Sequence, residues 1–216
     1  MVKINNITFN YGKKVILDDI NLEIGKSECI GIVGHNGCGK STFLSVLAGV
    51  KKPKSGSITK DKNVTISYVP QENPLMPDLS GYDNILLWYK GSKKDLKTAL
   101  QSQLISMLGI NEYLKKPVKR LSGGMKKKIS LAMALINEPD LLIMDEPSAA
   151  LDLPSKADMG SFLNKYKSMG GSIIITSHDT SEFHICDSLY LLSNTKLNKI
   201  DKNISDAEIT ELIRKK

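Results

Sequence analysis

The sequence predicts an α/β fold with a mixed, mainly parallel sheet, an N-terminal antiparallel β part and an inserted block of helices. Three observations predict it. Residues 2–9 and 15–24 alternate apolar and polar side chains, which is typical of antiparallel strands. Apolar runs and helical patterns then alternate, as they do around parallel sheets. Between Tyr82 and about Leu135 the β-branched runs disappear and the pattern becomes helical.

The remaining elements follow from the same periodicities and from turn residues. Leucines at 96, 100, 104 and 108 share one predicted helical face, and the proline-rich stretch 70–77 must be irregular. Residues 187–193 and 196–200 are expected as edge strands. The pattern predicts other strands over 28–33, 56–59, 64–69, 141–144 and 172–176, and helices over 40–48, over 154–169 and from the capping box at Ser205.

Length and composition favour one globular domain. A chain of 216 residues can bury one substantial core, so we expect a single domain over 1–216. Within it, 1–71 and 136–216 would form the core and its antiparallel part, and 72–135 the helical subdomain. No run approaches the roughly 20 apolar residues of a membrane span, and the N-terminus has no hydrophobic signal core. We therefore expect a cytoplasmic protein.

Cysteine usage and charge narrow the class of protein further. The three cysteines, at 29, 38 and 186, have no paired spacing, which argues against a disulfide framework or a zinc site. The net charge of +7 is compatible with nucleic acid, an anionic membrane or a solvated lysine face. The lysines are scattered without interleaved aromatic residues, so the solvated face is favoured and no nucleic-acid partner is expected.

The segment GHNGCGKST, residues 34–42, has the spacing of a complete phosphate-binding loop. It lies between an apolar run and a helical pattern, the context that such a loop requires. Its glycines allow successive backbone N–H groups to approach phosphate oxygens at the positive end of a helix. Lys40 would reach the β- and γ-phosphates, and Ser41 would ligate Mg²⁺. The sequence thus predicts a P-loop NTPase core that binds a nucleoside triphosphate.

Asp145 and Glu146 directly follow four apolar residues. A carboxylate at the carboxyl end of a parallel strand faces the crevice where ligands bind. Asp145 would hold Mg²⁺ through its water shell, and Glu146 would orient or deprotonate the attacking water. If the sequence contained this pair alone, we would interpret it as a cap after a buried strand. Because the sequence also contains the phosphate loop, the catalytic interpretation is favoured.

The third motif is RLSGGM at 120–125, followed by a helical run. Ser122 is a natural N-cap, and Gly123 and Gly124 permit close backbone approach, so this helix start is a second potential anion site. In order and separation, the three motifs resemble the ATP-binding domain of ABC ATPases, in which LSGGQ is the signature. The resemblance covers essentially the whole chain. It implies an ATPase that uses ATP and Mg²⁺.

The resemblance assigns further residues one by one. Tyr11 matches the aromatic residue that stacks on adenine, and Gln71 the glutamine that senses Mg²⁺ and water. His178 matches the switch histidine at the γ-phosphate, and 148–152 the loop that crosses to the partner subunit. The expected nucleotide-binding residues are Tyr11, Gly34, Asn36, Gly37, Cys38, Gly39, Lys40, Ser41 and Thr42; the catalytic residues are Lys40, Gln71, Glu146 and His178; and the Mg²⁺ ligands are Ser41, Gln71 and, through water, Asp145.

The resemblance also implies a homodimer. Members of the family close head to tail on two ATP molecules, each held between one subunit's phosphate loop and the other's Ser122, Gly123 and Gly124. Two positions depart from the family pattern: Met125 replaces the usual glutamine, and the first of the alanines at 149–150 replaces a common serine. Neither departure affects the groups assigned to Mg²⁺ or water, so we expect an active ATPase with two equivalent sites.

The leading functional hypothesis is the ATPase subunit of a membrane transporter, similar to the ABC-2 export type. Its partners would be separate transmembrane permease subunits, and it would lie at the cytoplasmic face of the membrane through them alone. Apolar residues after Gln71 are candidates for the docking groove or for the core: Leu75, Met76, Leu79, Ile85, Leu86, Leu87, Trp88 and Tyr89. The alternatives are a soluble ABC ATPase of the iron–sulfur assembly type and a regulator without turnover, against which Glu146 and His178 argue.

Overall fold

The computed structural model describes residues 1–148, 151–177 and 180–214. Its strands are β1 (Val2–Tyr11), β2 (Lys14–Ile24), β3 (Cys29–Val33), β4 (Ser55–Lys60), β5 (Ile66–Val69), β6 (Leu141–Asp145), β7 (Ser172–Thr176), β8 (Ser188–Ser193) and β9 (Lys196–Ile200). Its helices are α1 (Lys40–Leu47), α2 (Gly81–Trp88), α3 (Lys93–Ala99), α4 (Gln103–Met107), α5 (Gly123–Leu135), α6 (Leu153–Ser168) and α7 (Asp206–Arg214). Short 3-10 turns cover Val118–Arg120 and Thr180–Ile185.

The larger sheet has six strands in the order β5-β6-β7-β3-β8-β9. All its neighbouring pairs are parallel except β8 with β9. Every residue of β3, β6 and β7 is buried, which explains their nearly continuous apolar sequences. Because the carboxyl ends of β3, β6 and β7 meet at one edge, the loops that follow them open into the same crevice.

The smaller sheet is antiparallel, with β1 between β2 and β4. Val2 pairs with Ile24 on one side and with Lys60 on the other. Its buried face packs with Phe43 and Leu44 of α1 into one of the two apolar clusters described. The antiparallel β part preceding the phosphate loop is thus confirmed, and β1 extends two residues further toward the turn than its alternation predicts.

One expectation about the sheet edges is wrong. The sequence pattern places 187–193 at an edge, whereas β8 lies between β3 and β9. Its residues from Ser188 to Leu191 form parallel pairs with β3, so only β9 is the outer strand on this side. The alternation within a six-residue strand indicates which of its side chains are buried, but it does not indicate which strands will pair with it.

The helical segment is divided more finely than its periodicity predicts. Leu96, Leu100 and Leu108 are buried, but the segment forms two short helices: Leu96 lies in α3, and Leu100 and Leu108 directly follow the ends of α3 and α4. The Ser92 side chain accepts the Asp95 N–H at the start of α3, and Ser102 begins α4. The helices share an apolar cluster with β6 and β7, so the segment packs against the sheet at several points.

Local signals mark the helix ends as expected. Asp152 accepts the Ser155 N–H at the start of α6, and Gly170 follows its end with a φ of 98°. At α7, Glu208 Oε2 accepts the Ser205 N–H at 2.9 Å while Ser205 Oγ accepts the Glu208 N–H at 3.3 Å, which completes the predicted capping box. Among the helices described, none combines the length and apolar character needed to cross a bilayer.

Candidate active site

The loop between β3 and α1 requires glycine at specific positions. Gly37 and Gly39 have φ values of 78° and 115°, a region that other residues rarely adopt. A Cβ on Gly39 would also lie 2.8 Å from Cγ2 of Ile16, and one on Gly34 would lie 2.5 Å from the Leu192 carbonyl oxygen. Cys38, within the loop, is buried, and burial raises the pKa of its thiol. The glycines are therefore dictated by backbone conformation and close packing.

Lys40 begins α1 with its ammonium group folded over the loop. Its Nζ donates to the carbonyl oxygens of Gly34 at 2.7 Å and His35 at 3.2 Å, and the residue is only 6% exposed. The first turn of α1 contains no acidic residue, and Ser41 beside it is exposed. The Lys40 ammonium group and the partial positive charge of the α1 N-terminus thus lie together at the loop. This arrangement is suited to binding phosphate.

A cavity of about 540 Å³ joins the loop to residues from three other segments. Gln71 and Glu146 contribute from the ends of β5 and β6, and Tyr11 contributes from the end of β1. The lining residues are Tyr11, Ile16, Asn36, Gly37, Gly39, Lys40, Ser41, Thr42, Gln71 and Glu146. The structure therefore gathers most of the predicted nucleotide and catalytic residues in one place, with Gly34 and Cys38 in the loop that forms its wall.

Tyr11 stands half-exposed at the cavity, at 49% of its surface. Phe9 meets its ring edge to face with centroids 5.0 Å apart, and Lys51 Nζ lies 5.0 Å from its centroid. Hydrogen bonding with the side chains of Lys51 and then Thr42 lowers the pKa of the Tyr11 phenol. These contacts hold an aromatic ring at the cavity, where it can stack on a nucleobase.

The acidic pair at the end of β6 is fixed by a residue of the neighbouring strand. Asp145 is 2% exposed, and its Oδ1 accepts a 2.6 Å hydrogen bond from Thr176 Oγ1. The Glu146 N–H donates to Thr176 through both Oγ1, at 3.2 Å, and the carbonyl oxygen, at 3.1 Å. Glu146 adopts a φ of 50°, unusual for a residue other than glycine, and its side chain lines the cavity.

Gln71 contacts Glu146 directly. Its Nε2 donates to Glu146 Oε2 at 3.1 Å, which orients the amide and the carboxylate at the mouth of the cavity. Ser41 and Gln71 line the cavity with a hydroxyl and an amide oxygen, which are donors of the kind that Mg²⁺ prefers, whereas the predicted ligand Asp145 is buried and absent from the lining. Within the described ranges no cluster of three or more His, Cys, Asp or Glu residues forms a dedicated metal cage. This donor set fits an ion that is also held by phosphates and water.

The LSGGM segment lies apart from this cavity. Ser122 is exposed and caps α5, its Oγ accepting the Met125 N–H at 3.2 Å. Gly123 is exposed, and a Cβ added to it would meet no heavy atom within 4 Å, whereas Gly124 faces Leu151. None of the three signature residues, Ser122, Gly123 and Gly124, lines the cavity. The structure therefore does not bring the signature to the phosphate loop of its own chain.

Some predicted positions are not described by the structure, and two residues near the site were not predicted. His178, Ala149 and Ala150 lie outside the described residues. Sequence reasoning missed Thr176 and Lys127, the latter a buried lysine that contacts the segment next to Gln71. Thr176 is recognisable only from the pairing of β6 with β7, and Lys127 resembles its neighbours in a run of three lysines.

Comparison with known proteins agrees with this geometry. A family model described as "ABC transporter" matches residues 17–149. The lantibiotic transport ATP-binding protein SrtF of Streptococcus pyogenes is 35% identical over 91% of this chain and 89% of its own length. The spermidine/putrescine import ATP-binding protein PotA of Bacteroides thetaiotaomicron is 33% identical over 93% of this chain. The chain spans about half, 46%, of the length of that import protein.

Solved structures show the same fold. The structure of cbiO1 from Clostridium perfringens, described as part of the ABC transporter complex cbiONQ, superposes with a TM-score of 0.77 at 28% identity. The match covers 91% of this chain and 86% of that protein. The fold predicted from the sequence is thereby confirmed. On the family model and the identity to SrtF, the chain belongs to the ABC transporter family, as one of its ATP-binding domains.

Proposed function

We propose that this chain is the ATP-hydrolysing subunit of an ABC transporter and that two copies close head to tail around two Mg–ATP molecules. The observation that carries the proposal is the single cavity that brings Tyr11, the 34–42 loop, Gln71 and Glu146 together. In an ATPase site, an aromatic group stacks on the base, a phosphate-binding loop holds the triphosphate and an acidic group acts on the attacking water, and this cavity contains all three kinds of group.

Nucleotide binding would use the loop and its helix. Phosphate oxygens would replace the Gly34 and His35 carbonyls as partners of Lys40, since a charged acceptor makes the stronger hydrogen bond. Ser41, Gln71 and, through water, Asp145 would hold Mg²⁺, which supplies charge neutralisation of the phosphates when bound. Tyr11 would stack on the adenine.

Hydrolysis would depend on Glu146. Its carboxylate lies at the cavity and accepts a hydrogen bond from Gln71, while its backbone N–H is held by Thr176. That position suits a group that orients the attacking water or takes its proton. His178 is proposed to contact the γ-phosphate, as its match to the family's switch histidine implies.

The exposed signature supports a two-chain site. Ser122 and Gly123 are accessible at the start of α5 and lie outside the cavity that holds Lys40. A second copy could present these N–H groups to the nucleotide from across the interface. ATP would then favour the closed dimer because it contacts both chains there, and hydrolysis would remove those contacts.

A second cavity supports a permease partner. It measures about 630 Å³ and lies between α1, β5, α2 and α5, with Val50, Tyr68, Trp88 and Met133 among its lining residues. Val50 and Trp88 are 67% and 60% exposed. Apolar side chains at an open groove favour docking of a helical segment, and the names of SrtF and PotA both describe transport.

The apolar residues after Gln71 divide between this surface and the core. Ile85 is fully buried, and Leu75, Leu86 and Tyr89 pack partly against the core. Met76, Leu87 and Trp88 remain exposed. We propose that the permease holds the chain at the cytoplasmic face of the membrane. No observation in the described residues or the comparisons favours the iron–sulfur assembly alternative.

The ATPase proposal is tested by measuring phosphate release from Mg–ATP by the purified chain. We expect Lys40→Ala to lose ATP binding, and Glu146→Gln to retain binding while hydrolysis falls by about a hundredfold or more. Native-rate hydrolysis by Glu146→Gln would remove the assigned role of that residue. Failure of the native chain to hydrolyse ATP would overturn the proposal.

The permease partner needs a separate test. A photoreactive amino acid would replace Trp88 in one variant and, as the control, the similarly exposed Met169 at the end of α6 in another. Each variant would be produced in cells that express the native operon. We expect cross-links to a polytopic membrane protein from position 88 and none from position 169. Equal cross-linking from both positions, or none from either, would contradict docking at this groove.

A further inference from the structure

Lys127 is a buried cation on α5, one turn after the signature. Only 5% of the residue is exposed, which is unusual for lysine because its charge loses hydration on burial. Its Nζ donates to the carbonyl oxygen of Pro70 at 3.2 Å. The side chain therefore crosses from the helical segment to the loop that follows β5.

The acids around Lys127 only partly offset its burial, and its pKa stays below the ordinary value of 10.5. Desolvation lowers the pKa of its ammonium group, while the carboxylates of Asp145, Glu146 and Glu182 act in the opposite direction. Two of these three acids are the pair at the end of β6. Lys127 is thus buried within the electrostatic influence of the proposed catalytic acid.

Pro70 connects this cation to the catalytic amide. It directly precedes Gln71, so a hydrogen bond to its carbonyl oxygen fixes the peptide plane from which Gln71 departs. Gln71 in turn donates to Glu146. A continuous path runs from α5 through Lys127, Pro70 and Gln71 to Glu146, with hydrogen bonds at both ends.

We infer that Lys127 is a positioning residue for ATP hydrolysis, which holds the 70–71 peptide so that Gln71 keeps Glu146 in place. The inference rests on the proposed function, since it concerns the same site. Lys127 acts through Gln71 and does not itself contact the nucleotide cavity, whose lining does not include it. It also ties the rate of hydrolysis to the placement of the helix that begins at the signature.

The neighbouring lysine provides a matched control. Lys128 lies on the same helix, but its Nζ is 3.5 Å from Asp158 of α6, on a more exposed surface. Lys128→Met therefore removes the same charge and adds the same side chain without touching Pro70. Lys127→Met keeps a long unbranched side chain in the buried space while removing the ammonium donor.

The steady-state test compares these variants with the native chain. We expect Lys127→Met to lower kcat by about tenfold or more, as loss of a charged hydrogen bond predicts, with KM for ATP changed less than about twofold. Lys128→Met should remain near the native kcat. If Lys127→Met does not fold, Lys127→Leu, which also lacks a donor, serves in its place. A native kcat for the Lys127 variant, or a loss confined to KM, would overturn the inference.

A double-mutant cycle distinguishes positioning from a general packing defect. In a Gln71→Ala background, Lys127→Met should lower kcat by less than about twofold, because the group through which Lys127 acts is already absent. A full additional loss in that background would mean that Lys127 acts by another route, and would overturn the inference.

Hydrogen exchange gives a readout that does not require turnover. The backbone amides of residues 71–73, 75 and 76 should exchange several-fold faster in Lys127→Met than in the native chain or in Lys128→Met. Absence of hydrolysis by the native chain would overturn the proposed function, and the exchange result would then decide alone whether Lys127 holds this segment. Unchanged exchange would contradict the inference in either case.

Discussion

The Thr176 hydroxyl holds both acids of the site at once: its Oγ1 donates to Asp145 Oδ1 at 2.6 Å and accepts the Glu146 N–H at 3.2 Å. The pairing of β6 with β7 sets Asp145 directly beside Thr176. Both residues are almost completely buried, so the bond is shielded from water. One side chain on a neighbouring strand therefore orients the Asp145 carboxylate and holds the backbone of Glu146.

Replacing this hydroxyl should destabilise the protein and weaken Mg–ATP binding. Thr176→Val keeps the shape of the side chain but leaves Asp145 with a buried oxygen lacking its donor, which costs about 1–3 kcal/mol. Urea unfolding measures the stability, and ATP titration with and without Mg²⁺ measures the binding. Thr176→Ser, which retains the hydroxyl, should stay close to the native chain. A Val variant as stable as the Ser variant would contradict the role given to this bond.

The sequence predicts the phosphate loop and the acidic pair because their chemistry is local. The glycines of 34–42 and the carboxylates after β6 are set by positions a few residues apart. Thr176 could not be found this way, because its role arises from strand order: β7 pairs with β6 only in the folded sheet. Placement of β8 inside the sheet escaped prediction for the same reason.

Lys127 illustrates a second limit of local patterns. Three consecutive lysines at 126–128 predict a solvated run, yet the middle one points into the protein. Helical spacing predicts which face is buried when that face is apolar, and here the buried face contains a cation whose burial is partly offset by acids from distant segments. Likewise, the leucine period over 96–108 does not reveal the turn between α3 and α4.

The phosphate loop should be intolerant of a methyl group where glycine is conformationally required. Gly39→Ala combines a φ of 115° with a Cβ 2.8 Å from Ile16, so we expect a loss of about 1–3 kcal/mol in stability and loss of ATP binding. Gly160→Ala, in the interior of α6 with open space around its Cβ, should instead stabilise by about 1 kcal/mol. Thermal unfolding measures both, and equal effects at the two positions would contradict this account.

Lowering the pH should weaken the hydrogen bonds that join the segments just before β5 and β6. Asp140 Oδ2 accepts the Thr65 N–H at 2.8 Å and the Thr65 hydroxyl at 2.9 Å, and the backbone bond above all lowers the pKa of Asp140 below its ordinary 3.8. The folded protein then binds this proton less tightly than the unfolded chain. The stabilisation is present above about pH 4 and is lost as the pH falls through the folded-state pKa.

The free energy of unfolding of the native chain and of Asp140→Asn would be measured in urea at a series of pH values, from neutral pH to below the folded-state pKa of Asp140. The native chain should be the more stable at neutral pH, and the difference should narrow as the pH falls below 3.8. Asp158→Asn, at an exposed ion pair with Lys128, is the control for loss of a surface carboxylate. A difference that stays constant down to low pH would rule out this contribution from Asp140.

The central claim is that one chain holds half of each ATP site and a second chain completes it. Sedimentation of Glu146→Gln with Mg–ATP tests it, because blocked hydrolysis should retain the closed state. We predict an ATP-dependent dimer for Glu146→Gln, and a monomer that still binds ATP when Ser122→Arg is added to obstruct the signature. A Glu146→Gln chain that binds ATP yet stays monomeric, or a dimer unaffected by Ser122→Arg, would contradict the account.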